Sequence, residues 1–205
     1  MDKGTFVFLS NDYFLDFPDD KLMKNKESVD GELHDRPCFY AFTLPQNENI
    51  YWMVPFSSRT DKYRKIYDKK IEKYHKCDTI VFGEVLGHEK AFLIQNMCPV
   101  TQKYINAVYI DIKAKIPVRI ENPLSNSIET KAKSVLEKQR KGIPLIFPDV
   151  LTIELRLIEQ IEKDKLLPTN SLVKENTPFN DLLIELKNAK ERTKESKPKP
   201  HEPER

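Results

Sequence analysis

Apolar residues along the chain come in dense clusters separated by polar segments rich in Pro, Asn, Asp and Gly. Thr5-Phe6-Val7-Phe8-Leu9 is β-branched and aromatic and reads as a strand, and Ser10-Asn11-Asp12 offers N-cap residues for a short helical turn starting near Tyr13. Arg36-Pro37 precedes a second strand, Cys38 to Leu44. The polar stretch Pro45 to Asn49 turns it into a third, Ile50 to Pro55, so the two form a hairpin. Tyr63, Ile66, Tyr67 and Ile71 recur at spacings of three or four with Lys and Arg between them, predicting a helix over about 61–74 with a cationic polar face.

Cys77 to Phe82 and Ala91 to Gln95 predict two more strands flanking a Gly-punctuated connection over 83–89, and Val108 to Asp111 and Pro117 to Ile120 are short strand candidates. A helix over about 127–141 is stopped by Gly142, and another over about 147–163 closes the core. Short strands come first and helices are inserted and appended, which argues for an α+β fold over alternating βαβ units. Residues 178–186 form a short amphipathic helix candidate. From Glu185 to Arg205 twelve of 21 residues are charged, a composition that cannot bury enough apolar surface to fold alone. The expected organisation is a domain over 1–165 and a flexible, charged helical or disordered C-terminal extension over 166–205.

Composition sharpens this picture. No apolar run approaches the roughly 20 residues needed to cross a bilayer, so a cytoplasmic chain with no membrane partner is expected. Cys38, Cys77 and Cys98 are odd in number and widely spaced, and His34, His75, His88 and His201 show no H-x-x-x-H or C-x-x-C partner, so reduced thiols and no metal site are expected. Net charge is only +2, yet residues 1–35 carry nine acids against four Lys or Arg, and residues 59–76 carry eight Lys or Arg against three acids. Such polarity fits a surface that meets a polyanion on one side, or a solvated helix face.

The chemistry concentrates in Trp52-Met53-Val54-Pro55-Phe56-Ser57-Ser58-Arg59-Thr60-Asp61-Lys62-Tyr63-Arg64-Lys65. A hydrophobic strand ends, two hydroxyls follow and a cationic helix begins, so amide N–H groups, hydroxyls and cations converge where a phosphate would be held. Ser58 or Thr60 capping the helix through its hydroxyl is the alternative.

The run Pro55-Phe56-Ser57-Ser58 followed by basic residues resembles the strand-loop-helix motif of the ToxN/AbiQ superfamily, the protein toxins of type III toxin-antitoxin systems. Asn11-Asp12-Tyr13, Arg36-Pro37-Cys38-Phe39, Asp78 to Glu84 and Ala91 to Val100 follow in the family's order, the last two most similar to its CptN branch. The resemblance implies a strongly bent antiparallel sheet related to the Kid/MazF toxin fold. It also implies a metal-independent endoribonuclease with no cofactor, acting on cellular single-stranded RNA. The implied partner is a small noncoding RNA antitoxin of pseudoknot repeats, processed by the toxin and bridging its copies into a closed ring. Ser58 matches the motif serine, Lys62 is matched to the lysine that follows, and Tyr13 to a tyrosine near the site.

RNA supplies its own nucleophile. Attack by the 2′-hydroxyl on the adjacent phosphorus needs charge stabilisation on the non-bridging oxygens, which side chains can provide. The expectation is that Lys62 and Arg59 stabilise the pentavalent phosphorus, Ser58 positions the phosphate or the 2′-hydroxyl, and Tyr13 contacts the scissile nucleotide. Ser57, Arg36, Lys65, Lys69, Lys70 and Lys73 are expected RNA contacts, with Gln95 and Asn96 as amides able to read base edges. The rival reading is a noncatalytic RNA-binding module that uses the same basic helix.

Overall fold

The computed structural model describes residues 2–29 and 32–166. Its elements run β1 (Phe6–Leu9), α1 (Asn11–Asp16), β2 (Lys26–Val29), β3 (Glu32–Asp35), β4 (Pro37–Leu44), β5 (Asn47–Ser57), α2 (Thr60–Tyr74), β6 (Ile80–Val85), β7 (His88–Leu93), β8 (Cys98–Val100), β9 (Ile105–Val108), β10 (Ile110–Asp111), β11 (Ile116–Pro117), α3 (Asn122–Arg140) and α4 (Val150–Leu166). The fold is α+β. Seven strands form one sheet in the order β6-β7-β5-β4-β1-β9, with β8 also paired to β5, and their pairings are antiparallel. The candidate helix over 178–186 and the charged tail lie outside the described residues.

β5 organises the sheet. Along one edge it pairs with β4; along the other, Tyr51 to Met53 pair with β8 and then Phe56 and Ser57 pair with β7. Both faces of the central strands are covered, which explains why Cys38 to Phe42 is a continuous buried run without alternation. On one face Phe6, Phe39, Phe56 and Phe92 pack with Ile128, Ala132 and Val135 of α3. On the other, Val7, Cys38, Tyr40 and Met53 pack with Tyr13 of α1 and Ile153 and Leu157 of α4. Each such large apolar side chain contributes about 1.5–3 kcal/mol by leaving water.

The strand candidate over 77–82 is shifted in the structure, because Gly83 is not in a turn. β6 runs through it, and the hairpin reverses at Leu86 and Gly87, both with positive φ (51° and 77°). Glycine at 83 serves close packing instead: a Cβ there would sit 2.2 Å from Leu124 Cδ2 at the start of α3. α3 begins earlier than the apolar spacing predicts because Pro123 is tolerated in its first turn. It ends as expected at Gly142 (φ 85°), where the Ile143 N–H donates back to the Lys138 carbonyl. α4 begins after Asp149, whose carboxylate caps the Thr152 N–H at 3.3 Å.

Candidate active site

The end of β5 turns the chain through hydroxyl chemistry. Ser57, 2% exposed, accepts the Arg59 N–H at 3.2 Å, and the Ser58 carbonyl accepts the Thr60 N–H at 2.9 Å, after which α2 starts. Arg59 is the N-cap residue and no side chain caps it. The capping alternative for Ser58 and Thr60 is therefore not what the structure shows: Ser57 makes the turn, and the Ser58 hydroxyl faces solvent. There Lys90 Nζ of β7 donates to Ser58 Oγ at 2.8 Å.

Strand alternation explains this meeting. Ser57 pairs with Ala91 and Phe56 with Phe92, so the next step of the ladder sets Ser58 opposite Lys90. Lys90 and Phe92 share the face that carries Phe56 and α3, whereas Ala91 and Leu93 face α2 through Tyr63, Ile66 and Ile71. Glu89, on the α2 side, takes Arg64 at 2.6 Å, and the Arg64 guanidinium lies 3.7 Å from the Phe82 ring centroid. Arg64 is thus committed to holding α2 on the hairpin.

The remaining cations of α2 divide in two. Lys62, Lys65, Lys69 and Lys73 are exposed, Lys62 with its ammonium 5.5 Å from the Tyr63 ring centroid. Lys70 points inward and donates to Thr79 Oγ1 at 2.7 Å and Gln95 Oε1 at 2.8 Å, and burial holds its pKa below the ordinary lysine value. Lys70 and Gln95, both expected at RNA, instead satisfy one another beneath the helix. Gln95 lies in a 3-10 turn over Ile94–Asn96, buried. Asn96 sits half-buried, Nδ2 3.5 Å from the Lys21 carbonyl, beside a cleft bounded by Phe14, Met23, Asn25 and Arg36.

Tyr13 is displaced further from its expected role. It is fully buried, its hydroxyl donates to the Pro99 carbonyl at 2.9 Å, and burial followed by the neighbouring Cys98 raises its pKa well above the usual tyrosine value. No nucleotide reaches it in this arrangement. Burial also pushes the thiols up, Cys98 to about 12 and Cys38 well above its usual range, so both are protonated and inert. Arg36 is likewise internal: 8% exposed, it donates to the Lys24 carbonyl and to the Phe56 carbonyl, each at 3.1 Å. Its charge-bearing fork ties the segment before β2 to the end of β5 and thereby fixes Ser57 and Ser58 from behind. Arg36 and Ser57, read from sequence as RNA contacts, are both buried and bonded to backbone at the end of β5.

Lys90, absent from the sequence-based expectations, is the side chain that meets Ser58. Among the described residues no three or more His, Cys, Asp or Glu side chains are grouped to hold a metal ion, and no helix is long and apolar enough to cross a membrane. What the site offers is a solvent-facing hydroxyl polarised by one ammonium, with Arg59 and the exposed first turn of α2 beside it in the chain.

No protein-family model and no curated protein matches the chain. Among solved structures it is similar to AbiQ, described as a lactococcal anti-phage endoribonuclease belonging to the type-III toxin-antitoxin system. The two share 16% identity over 77% of this chain and 98% of AbiQ, with a TM-score of 0.55. At that identity the likeness is one of fold: this chain has the AbiQ fold.

Proposed function

We propose that this protein is the endoribonuclease toxin of a type III toxin-antitoxin system, cutting single-stranded cellular RNA at the end of β5. The observation that carries the reading is a solvent-facing Ser58 hydroxyl gripped by a lysine, in a fold shared with an endoribonuclease of such a system. In the proposed reaction a 2′-oxygen loses its proton to a solvent base and bonds to the adjacent phosphorus, the P–O5′ bond breaks, and the 5′-oxygen takes a proton. A 2′,3′-cyclic phosphate and a 5′-hydroxyl result. Ser58 donates to a non-bridging oxygen, while Arg59 and Lys62 neutralise the phosphate, so charge is supplied by side chains and no metal is required. Lys65, Lys69 and Lys73 follow the RNA backbone, and Asn96 faces a base.

The same reading, of a toxin like those of the CptN branch, supplies the partner: a small RNA of pseudoknot repeats that the protein cuts from its precursor and that then occupies the site, linking successive copies into a closed ring. Incubation of purified protein with single-stranded RNA in EDTA tests the chemistry. Cleavage leaving cyclic phosphate ends, abolished by Ser58→Ala, is expected. Intact RNA alongside tight, salt-sensitive binding would establish a noncatalytic RNA-binding module instead.

A further inference from the structure

The ammonium that hydrogen-bonds Ser58 comes from β7, not from α2. Three features combine in Lys90. Its ammonium donates to a neutral hydroxyl, and among the described residues it has no carboxylate partner, whereas Arg64 is paired with Glu89, Lys138 with Asp78 and Arg140 with Glu154. It is half-buried, so its charge is less screened than those along the exposed stripe of α2. And by alternation it lies on the same face of the hairpin as Ser58, while the body of α2 packs on the opposite face.

We propose that Lys90 is a catalytic residue of the RNA cleavage described above, on which the inference rests. One of its N–H groups holds Ser58 Oγ, which turns the Ser58 proton outward toward a non-bridging oxygen of the scissile phosphate. The remaining N–H groups bind that phosphate directly. Hydroxyl and ammonium then form one donor site for the charge that builds as the 2′-O–P bond forms and the P–O5′ bond breaks. Lys90 keeps its proton throughout. The proton lost by the 2′-oxygen goes to solvent, and the 5′-oxygen is protonated from solvent.

The test is single-turnover cleavage of one defined single-stranded RNA by wild type, Lys90→Met, Lys90→Arg, Ser58→Ala and the double variant Ser58→Ala/Lys90→Met, with melting temperatures alongside. Lys90→Met keeps the aliphatic stem and is expected to melt with wild type while losing about 100-fold or more in rate at saturating RNA, the apparent Kd moving only a few-fold. Lys90→Arg is expected to recover part of the rate. The double variant should be no slower than the slower single one, because the two groups act as a unit. A folded Lys90→Met protein that cuts within threefold of wild type would sink the role of Lys90 and leave the ribonuclease reading standing. A wild-type protein that cuts nothing would overturn both.

Discussion

Gly83 lies directly under Leu124: a Cβ at 83 would come within 2.2 Å of Leu124 Cδ2, 2.7 Å of Cδ1 and 3.0 Å of Cγ. The atoms in the way belong to the Leu124 side chain, so a larger residue at 83 requires that side chain to change rotamer or α3 to move outward. Gly83 is also the cross-strand partner of Lys90, which places this contact beneath the candidate site.

Gly83→Ala is therefore expected to cost about 1–3 kcal/mol by overpacking, with a fall of several degrees in melting temperature. Adding Leu124→Ala opens the space, so the double variant should lie above the additive sum of the singles. Thermal melts of the four proteins check it; strict additivity would mean that α3 and β6 do not meet here.

Tyr13→Phe separates a core tyrosine from a catalytic one. The hydroxyl is sealed in the second core cluster and bonded to the Pro99 carbonyl, so its removal leaves a buried acceptor unpaired and should cost about 1–2 kcal/mol. RNA cleavage per folded molecule should be unchanged below the melting transition. A large loss of rate with unaltered stability would return Tyr13 to the site.

Those two residues also show what local sequence carries and what it does not. The β4–β5 hairpin and the start of α2 were legible because long apolar runs and a helical period are local signals; α2 begins at Thr60 beside the expected Asp61. Burial of Tyr13 and Gln95 was not, since each joins an apolar stem to a polar tip and its placement depends on distant neighbours. Gly83 read as a turn because glycine has two uses, and only the approach of Leu124, distant in sequence, decides between them. Lys90 fell just outside a strand expected to begin at Ala91. Even a correct strand would not have named it, because the pairing of Ser57 with Ala91 is long-range information. The end of a strand at Ser57 and Ser58 was readable; the meeting of Ser58 with Lys90 was not.

Lys138 and Asp78 form an ion pair of 2.9 Å between α3 and the loop before β6. The hydrogen bond from Lys138 is the main cause that holds the Asp78 carboxyl below its usual value of 3.8. A carboxyl whose folded pKa is depressed stabilises the fold above its unfolded pKa and loses that contribution as pH falls through the folded one. Partial exposure limits the effect to roughly 0.5 kcal/mol. Lys138→Met should thus melt below wild type at neutral pH, and the gap should close as pH falls below 3.8. A gap that stays constant down to the acid limit would show that Lys138 acts through packing alone.

Lys69, Lys73 and Lys70 are neighbours in sequence with opposite surroundings. The first two are solvent-exposed on α2, while the Lys70 ammonium is spent on Thr79 and Gln95. Each phosphate contact to single-stranded RNA adds about 0.7 to the slope of log K against log salt. For binding of single-stranded RNA to a Ser58→Ala background that cannot cut it, Lys69→Ala and Lys73→Ala should each flatten that slope by about this amount. Lys70→Met should leave it unchanged while shifting the melting temperature. Equal slopes for all three variants would place the RNA on another surface, and a flattened slope for Lys70→Met alone would mean that the helix opens to release that ammonium when RNA binds.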